Sequence, residues 1–166
     1  TLGRCYASAI VEADLGLDTL FGPAYKGIPL VASTAVALAT QFNRDVPYAF
    51  NRKEAKTHGE GGTLVGAPLS GRVVIIDDVI TAGTAIRESV TLIAAQGAQA
   101  AAVLIGLDRC ERGKGTRSAV QEVQEELGLV VQSVINMHDI IDWISTAEGY
   151  QGHLSAMLGY RDRYGV

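Results

Sequence analysis

Val73-Val74-Ile75-Ile76-Asp77-Asp78-Val79-Ile80-Thr81-Ala82-Gly83-Thr84-Ala85 decides the fold. Four apolar β-branched residues run without alternation, the pattern of a strand buried on both faces. Two carboxylates follow, then a short turn rich in Thr and Gly, and a helical pattern begins near Ala85. A parallel strand entering a helix through such a turn gathers backbone N–H groups and the positive end of a helix around one small volume. That volume suits a phosphate. The carboxylates suit hydroxyls or a hydrated cation. As strand neighbours, Asp77 and Asp78 point to opposite sides, and they cannot both face a dry core without partners. A phosphorylated polyhydroxyl ligand supplies partners; loop acids that merely cap the next helix are the alternative.

Outward from this stretch, strands alternate with helices. A helix is expected from Gly3 to about Leu15, with Cys5, Ala9, Ile10 and Ala13 on its apolar face and Gly16 ending it. Asp18 to Phe21 is a short strand, Gly22 to Gly27 a turn, Ile28 to Phe42 a helix and Val46 to Phe50 a strand. Asn51 to Gly71 shows no convincing periodicity. Thr84 to Gln96 is a helix closed by Gly97, and Ala100 to Leu107 another buried strand. Ser118 to Leu127 is a helix with a polar face, Val130 to Ile135 a strand, and Asp139 to Ser145 and His153 to Tyr164 are helices. The alternation predicts an α/β fold with a mostly parallel central sheet and helices on both faces. Trp143, Met137 and Met157 are expected in core or interface packing. His138 and His153 lack a Cys or His partner at metal spacing and are taken as structural.

Cations gather in three places. Lys26 sits where a strand end meets a helix start, the side on which open parallel sheets bind ligands. A positive charge there opposes the helix dipole, and a bound anion resolves the conflict; a solvated Lys pointing away is the alternative. Arg52, Lys53, Lys56 and His58 precede Gly59, Gly61 and Gly62 in a long aperiodic stretch. This suggests a lid closing over an anion, or else a charged surface hairpin. Arg109 follows a buried strand at the same sheet edge as Asp78. A guanidinium there reads a carboxylate or pairs with Asp108 or Glu111.

The chain has 166 residues, 48% of them hydrophobic, and a formal charge of −4. One soluble domain with a sizeable core is expected. The acidic balance argues against nucleic acid as partner. No apolar run approaches the roughly 20 residues of a membrane helix, and no secretory signal is visible. Cys5 and Cys110 make neither a metal spacing nor a disulfide framework, which fits a reducing cytoplasm. The chain does not begin with Met, so a further N-terminal segment is expected. Gly113-Lys114-Gly115 lacks the Ser or Thr of a Walker loop, and Leu64 stands where a dinucleotide fingerprint needs its third Gly. No nucleophile elbow is present.

The stretch from Val73 to Ala85 resembles the phosphoribosyl-diphosphate (PRPP) motif of type I phosphoribosyltransferases. Phe21-Gly22-Pro23-Ala24-Tyr25-Lys26-Gly27-Ile28-Pro29, Asn51-Arg52-Lys53-Glu54-Ala55-Lys56-Thr57-His58-Gly59-Glu60-Gly61 and Asp108-Arg109 narrow the resemblance to the orotate phosphoribosyltransferases. It implies a Mg²⁺-dependent transfer of 5-phosphoribosyl from PRPP to orotate, giving orotidine 5′-monophosphate and diphosphate in UMP biosynthesis. It also implies that Tyr25 and Lys26 hold the diphosphate, with the residue before the Lys often in an unusual peptide geometry. By the same resemblance Arg52 binds diphosphate, while Lys53, Lys56 and His58 close over the neighbouring subunit's site in a homodimer. Asp77 and Asp78 would take the ribose hydroxyls, Thr81, Ala82, Gly83, Thr84 and Ala85 the 5′-phosphate, and Val79 and Ile80 would belong to the same PRPP site. Thr81 and Arg109 would hold orotate, and Lys53, Lys56, His58 and Asp78 would carry the chemistry. Mg²⁺ would sit mainly on PRPP oxygens and waters, with no direct protein ligand. In this family the segment before Thr1 supplies residues that cover orotate and one more cation. A PRPP-sensing regulator would share the motif without needing the lid, and would carry a basic surface. Against a purine phosphoribosyltransferase stand Arg109 and the Lys-x-x-Lys-x-His pattern.

Overall fold

The computed structural model describes residues 1–56 and 62–166, with the backbone alone at 54–56 and 62. Along the chain run α1 (Leu2–Glu12), β1 (Thr19–Gly22), α2 (Gly27–Phe42), β2 (Tyr48–Lys56), β3 (Gly62–Gly66) and β4 (Arg72–Asp77). Then follow α3 (Thr84–Ala95), β5 (Gln99–Asp108), α4 (Ala119–Leu127), β6 (Val130–Asn136) and α5 (Met137–Thr146). A 3₁₀ turn (Gln151–His153) leads into α6 (Leu154–Tyr164).

The strands form one sheet in the order β3-β2-β1-β4-β5-β6. All pairings are parallel except β2 with β3. Side chains alternate across a strand, so a strand covered on both faces has no polar face to show. In β4 every residue from Val73 to Ile76 is 0% exposed. Val74 and Ile76 pack with Tyr6, Ile10, Val31 and Leu38 of α1 and α2. Val73 and Ile75 pack with Ile86, Ile93, Val120 and Val123 of α3 and α4. The unbroken apolar run is thus the meeting line of two cores. A fully buried aliphatic side chain contributes about 1.5–3 kcal/mol by its burial.

The topology also fixes where a ligand can sit. From β1 the chain crosses through α2 to β2 on one side; from β4 it crosses through α3 to β5 on the other. The carboxyl ends of β1 and β4 therefore diverge into a crevice, the site favoured by open parallel sheets.

Several expectations are corrected. Helix α1 stops at Glu12, not Leu15, and buries Gly3, Tyr6, Ala7 and Ile10 instead of the Cys5, Ala9, Ile10 and Ala13 set. Cys5 and Ala13 are exposed. The helix is rolled because Gly3 lies on α2, where a Cβ would come within 2.4 Å of the Ser33 carbonyl oxygen. The stretch from Asn51 to Gly71, expected without regular structure, carries the second half of β2 and all of β3. Backbone pairing between two strands at the sheet edge needs no apolar period, so periodicity missed it. Of the residues expected in core or interface packing, Trp143 lies outside this chain's core: it is 55% exposed and meets Tyr150 with ring centroids 4.8 Å apart. Met137 is buried as expected. Among the described residues no helix is long and apolar enough to cross a membrane.

Candidate active site

Strand β4 ends on the acid pair. Asp77 is 8% exposed, and its Oδ1 accepts the Asp78 backbone N–H at 2.9 Å. Burial pushes its carboxyl up to about 6, against the help of that N–H, and the neighbouring Asp78 charge adds to the rise. The backbone of the pair is pinned from both sides. Tyr6, from α1, donates its hydroxyl to the Asp77 carbonyl at 2.8 Å, and burial pushes the Tyr6 phenol pKa up. The Gly106 and Leu107 N–H groups of β5 donate to the Asp78 carbonyl at 2.9 and 3.2 Å.

Across the crevice, Lys26 Nζ lies 2.6 Å from Asp78 Oδ2. Burial alone would raise the Asp78 carboxyl pKa. The Lys26 hydrogen bond, the Val79 N–H and the Lys26 charge outweigh it and hold the carboxyl below its ordinary value. The same hydrogen bond raises the Lys26 ammonium. Lys26 occupies the N-cap position of α2 with no side-chain cap there. The loop before it contains a cis Ala24–Tyr25 peptide, the unusual geometry expected beside the Lys. Asn51 of β2 accepts the Ala24 N–H at 2.7 Å and ties this loop to the neighbouring strand. Gly22 and Gly27 close the loop tightly: a Cβ on Gly22 would lie 2.3 Å from the Gly27 carbonyl oxygen. Tyr25 is 65% exposed, and Lys53 Nζ stands 5.2 Å from its ring centroid. Arg52, beside Lys53 in β2, is half-buried. Lys56 belongs to β2 by its backbone, but its side chain and the whole of His58 lie outside the described residues.

Beyond the acids, a cavity of about 240 Å³ is lined by Asp77 and the run from Val79 to Ile86. Ile80 and Gly83 are buried; Thr81, Ala82, Thr84 and Ala85 are exposed. Among the described residues the N–H groups of Thr81, Ala82, Gly83 and Thr84 reach no backbone carbonyl. No side chain caps α3. Unpaired donors at a helix start are an anion cradle. Gly83 has φ 71°, and a Cβ there would lie 2.6 Å from Val123 Cγ2, so only glycine gives this turn. Arg87 fixes the loop from below. Its Nη1 donates to the Ala82 carbonyl at 2.5 Å, and its Nε and Nη2 donate to the two Glu126 oxygens at 2.8 and 2.5 Å.

Arg109 follows β5 at the same edge. Of its two possible partners in the chain, Glu111 takes it: Nη2 to Oε2 is 2.9 Å. Asp108 instead turns back to accept the Cys110 N–H at 2.8 Å. His138 lies with Nδ1 3.8 Å from Cys110 Sγ, and His153 ends the exposed 3₁₀ turn.

The structure therefore brings Lys26, Asp77, Asp78, the Val79–Ala85 loop and the Tyr25–Lys53 pair around one crevice. Sequence reasoning missed Tyr6, Asn51, Arg87 and Glu126. The last two sit on exposed polar helix faces, where nothing local separates a loop clamp from a solvated charge. Tyr6 alone left a signal, a phenol on an otherwise apolar helix face.

Comparison with known proteins agrees with this geometry. Residues 3–138 match the phosphoribosyl transferase domain family. The chain is 59% identical over 165 residues to the orotate phosphoribosyltransferase of Pseudomonas aeruginosa, covering 99% of this chain and 78% of that protein. It is 55% identical to the orotate phosphoribosyltransferase of Photobacterium profundum, with the same coverage. The crystal structure of Francisella tularensis orotate phosphoribosyltransferase superposes with a TM-score of 0.85 at 38% identity, covering 99% of this chain and 79% of that one. Fold, domain and sequence agree over nearly the whole length, and the chain belongs to the orotate phosphoribosyltransferases.

Proposed function

We propose that the crevice between β1 and β4 binds PRPP and transfers its phosphoribosyl group to orotate, with the roles divided by position. The observation that carries this reading is the Lys26–Asp78 contact beside the uncapped Thr81–Thr84 turn. A cation, a carboxylate pair and unpaired amides gather at one sheet edge, the kinds of group that a sugar phosphorylated at both ends would need. The amides and hydroxyls of Val79 to Ala85 take the 5′-phosphate. Asp77 and Asp78 accept hydrogen bonds from the ribose hydroxyls. Tyr25, Lys26, Arg52 and Lys53 meet the diphosphate, and Thr81 and Arg109 meet orotate.

In the transfer, the bond from the anomeric carbon to the diphosphate oxygen breaks and its electron pair leaves with diphosphate. The orotate ring nitrogen, having given up its proton, donates the pair that forms the new C–N bond. The sugar passes through a cation-like state, by analogy with other substitutions at anomeric carbon. Positive groups placed where the leaving charge grows, Lys26, Arg52 and Lys53 among them, lower this barrier. Lys56 and His58 are assigned to a lid that closes over the partner subunit's site in a homodimer and excludes water.

Among the described residues no three His, Cys, Asp or Glu side chains gather as a metal cage. The acids at the crevice, Asp77 and Asp78, suit a Mg²⁺ held mainly by ligand oxygens and waters. Bound with PRPP, Mg²⁺ would neutralise diphosphate charge. The place of the reaction is taken to be the cytoplasm, with no membrane or nucleic-acid partner.

The test is a substrate panel: PRPP and Mg²⁺ with orotate, adenine or hypoxanthine. Orotidine 5′-monophosphate formed from orotate alone supports the reading. A purine nucleotide product, or PRPP binding without turnover of any base, overturns it.

A further inference from the structure

The Arg109 guanidinium is the one proposed orotate contact whose setting reaches another part of the fold. Its Nη2 lies 2.9 Å from Glu111 Oε2 in an ion pair. Its Nε is buried and has no hydrogen-bond partner among the described residues. The second Glu111 oxygen, Oε1, is taken by the Tyr160 hydroxyl of α6, in a short contact. That contact raises the Tyr160 phenol pKa, so it remains a donor. Both carboxylate oxygens of Glu111 are thereby engaged, one by Arg109 and one by Tyr160.

The backbone around this contact is clasped by the same segment. Glu111 bridges Gly165 in an antiparallel pairing. The Arg112 N–H donates to the Tyr164 carbonyl at 2.8 Å, and Arg112 Nη2 to the Gly165 carbonyl at 3.1 Å. The Val166 N–H donates to the Cys110 carbonyl at 3.2 Å. On the other side, the Glu111 carbonyl accepts the Ala119 N–H at the start of α4. Glu111 is therefore held by α6 and α4 together, on a loop that begins at Arg109.

We infer that Glu111 and Tyr160 are positioning residues for orotate: Tyr160 fixes Glu111, and Glu111 fixes one edge of the Arg109 guanidinium so that its remaining N–H groups face the incoming carboxylate. This rests on the reading of Arg109 as the orotate contact. A free arginine side chain samples many rotamers, and an ion-paired edge removes part of the ordering cost before the ligand arrives. A planar fork also leaves geometry for one carboxylate on each edge. Glu111 thus orients the guanidinium without occupying all of its donors.

Steady-state kinetics on three variants tests this. Tyr160→Phe removes only a hydroxyl and keeps the ring tilted against Tyr164, centroids 4.8 Å apart. Because the lost bond positions the guanidinium and does not touch orotate, only part of its value reaches the ligand, and orotate KM is expected to rise about five- to tenfold. Glu111→Ala is expected to raise it further. PRPP KM should be unmoved and kcat nearly so, a split that general loosening of the fold would not give. An orotate KM that rises in Arg109→Ala but stays at the wild-type value in Tyr160→Phe and Glu111→Ala overturns the relay alone. An unchanged orotate KM in Arg109→Ala overturns the Arg109 assignment and the relay with it. Equal rises in both KM values in Tyr160→Phe also overturn the relay.

Discussion

Lys26 Nζ and Asp78 Oδ2 are 2.6 Å apart, although 52 residues separate them in sequence. The pair closes the crevice between β1 and β4 and joins the proposed diphosphate cation to the proposed ribose acid. A bound sugar phosphate must redistribute both partners: anionic oxygens compete for the ammonium, and hydroxyls replace it at the carboxylate. Lys26→Ala is expected to lower kcat/KM for PRPP by at least about a hundredfold, since it removes charge stabilisation of the leaving group. Asp78→Asn keeps the shape but loses an acceptor, and should weaken PRPP affinity by about tenfold. Steady-state kinetics with orotate reads the first, and isothermal titration with PRPP and Mg²⁺ reads the second. Wild-type affinity in Asp78→Asn would remove the ribose role.

Asp77 gives a pH signature. Its carboxyl titrates near 6 in the fold, against 3.8 as the ordinary value, chiefly because it is buried. A raised acid is still protonated in the folded chain when the unfolded chain has already ionised. Its contribution is fully present below the ordinary value and is lost as pH climbs toward about 6. The loss is on the order of 1–3 kcal/mol. Asp77→Asn cannot ionise, and its amide oxygen can still accept the Asp78 N–H. Urea unfolding should therefore show the variant gaining stability over wild type between pH 4 and 7, while its PRPP turnover falls. An equal difference at both pH values would contradict the buried-acid account.

Arg87 is the clamp under the phosphate loop. It grips the Ala82 carbonyl with one nitrogen and Glu126 with two. Arg87→Met keeps much of the apolar stem and loses every donor. The loop amides would no longer be preset, and PRPP KM should rise about tenfold or more while orotate KM stays within twofold. Glu126→Gln should show the same effect, weakened. Both KM values unchanged in Arg87→Met would make the clamp a surface ion pair of no consequence.

Lys53 stands over the exposed Tyr25 ring, ahead of the segment assigned to the lid. Lys53→Ala should cut orotidine monophosphate formation by at least about tenfold, as loss of one preorganised cation does. An unaltered rate would take Lys53 out of the stabilisation of the leaving diphosphate.

What the sequence made legible follows from locality. Val73 to Ile76 announced a strand buried on both faces because that burial leaves no polar period, and all four residues are 0% exposed. The turn from Asp77 to Ala85 is contiguous, so its residue types carried its chemistry unaided. Contacts between distant segments were another matter. Nothing near Glu111 marks Tyr160 as its partner, and nothing near Arg87 marks Glu126, 39 residues on, as its partner; strand order and helix roll decide both. Helix α1 shows the limit. Its small residues permit several apolar stripes, and the choice fell to Gly3, which lets α2 approach, and to Tyr6, whose hydroxyl finds the Asp77 carbonyl. At β2 and β3 the stabilising term is backbone pairing, to which hydrophobic periodicity is blind.

Tyr6 offers the sharpest separation between holding the site and forming the core. The residue is 1% exposed, and its hydroxyl donates to the Asp77 carbonyl at 2.8 Å. Tyr6→Phe keeps the ring in the core but leaves that carbonyl without its donor from α1. Removing one partner of a buried hydrogen bond costs about 1–3 kcal/mol. Thermal unfolding should register a loss of that size. Because the freed carbonyl belongs to the acid pair, PRPP KM should rise several-fold as well. Tyr6→Leu also empties ring volume, and about 2–4 kcal/mol of further destabilisation is expected from the cavity. If Tyr6→Phe loses stability with PRPP KM unchanged, the phenol serves the core alone. If both move, the first helix of the chain sets the geometry of the acid pair at the far end of β4.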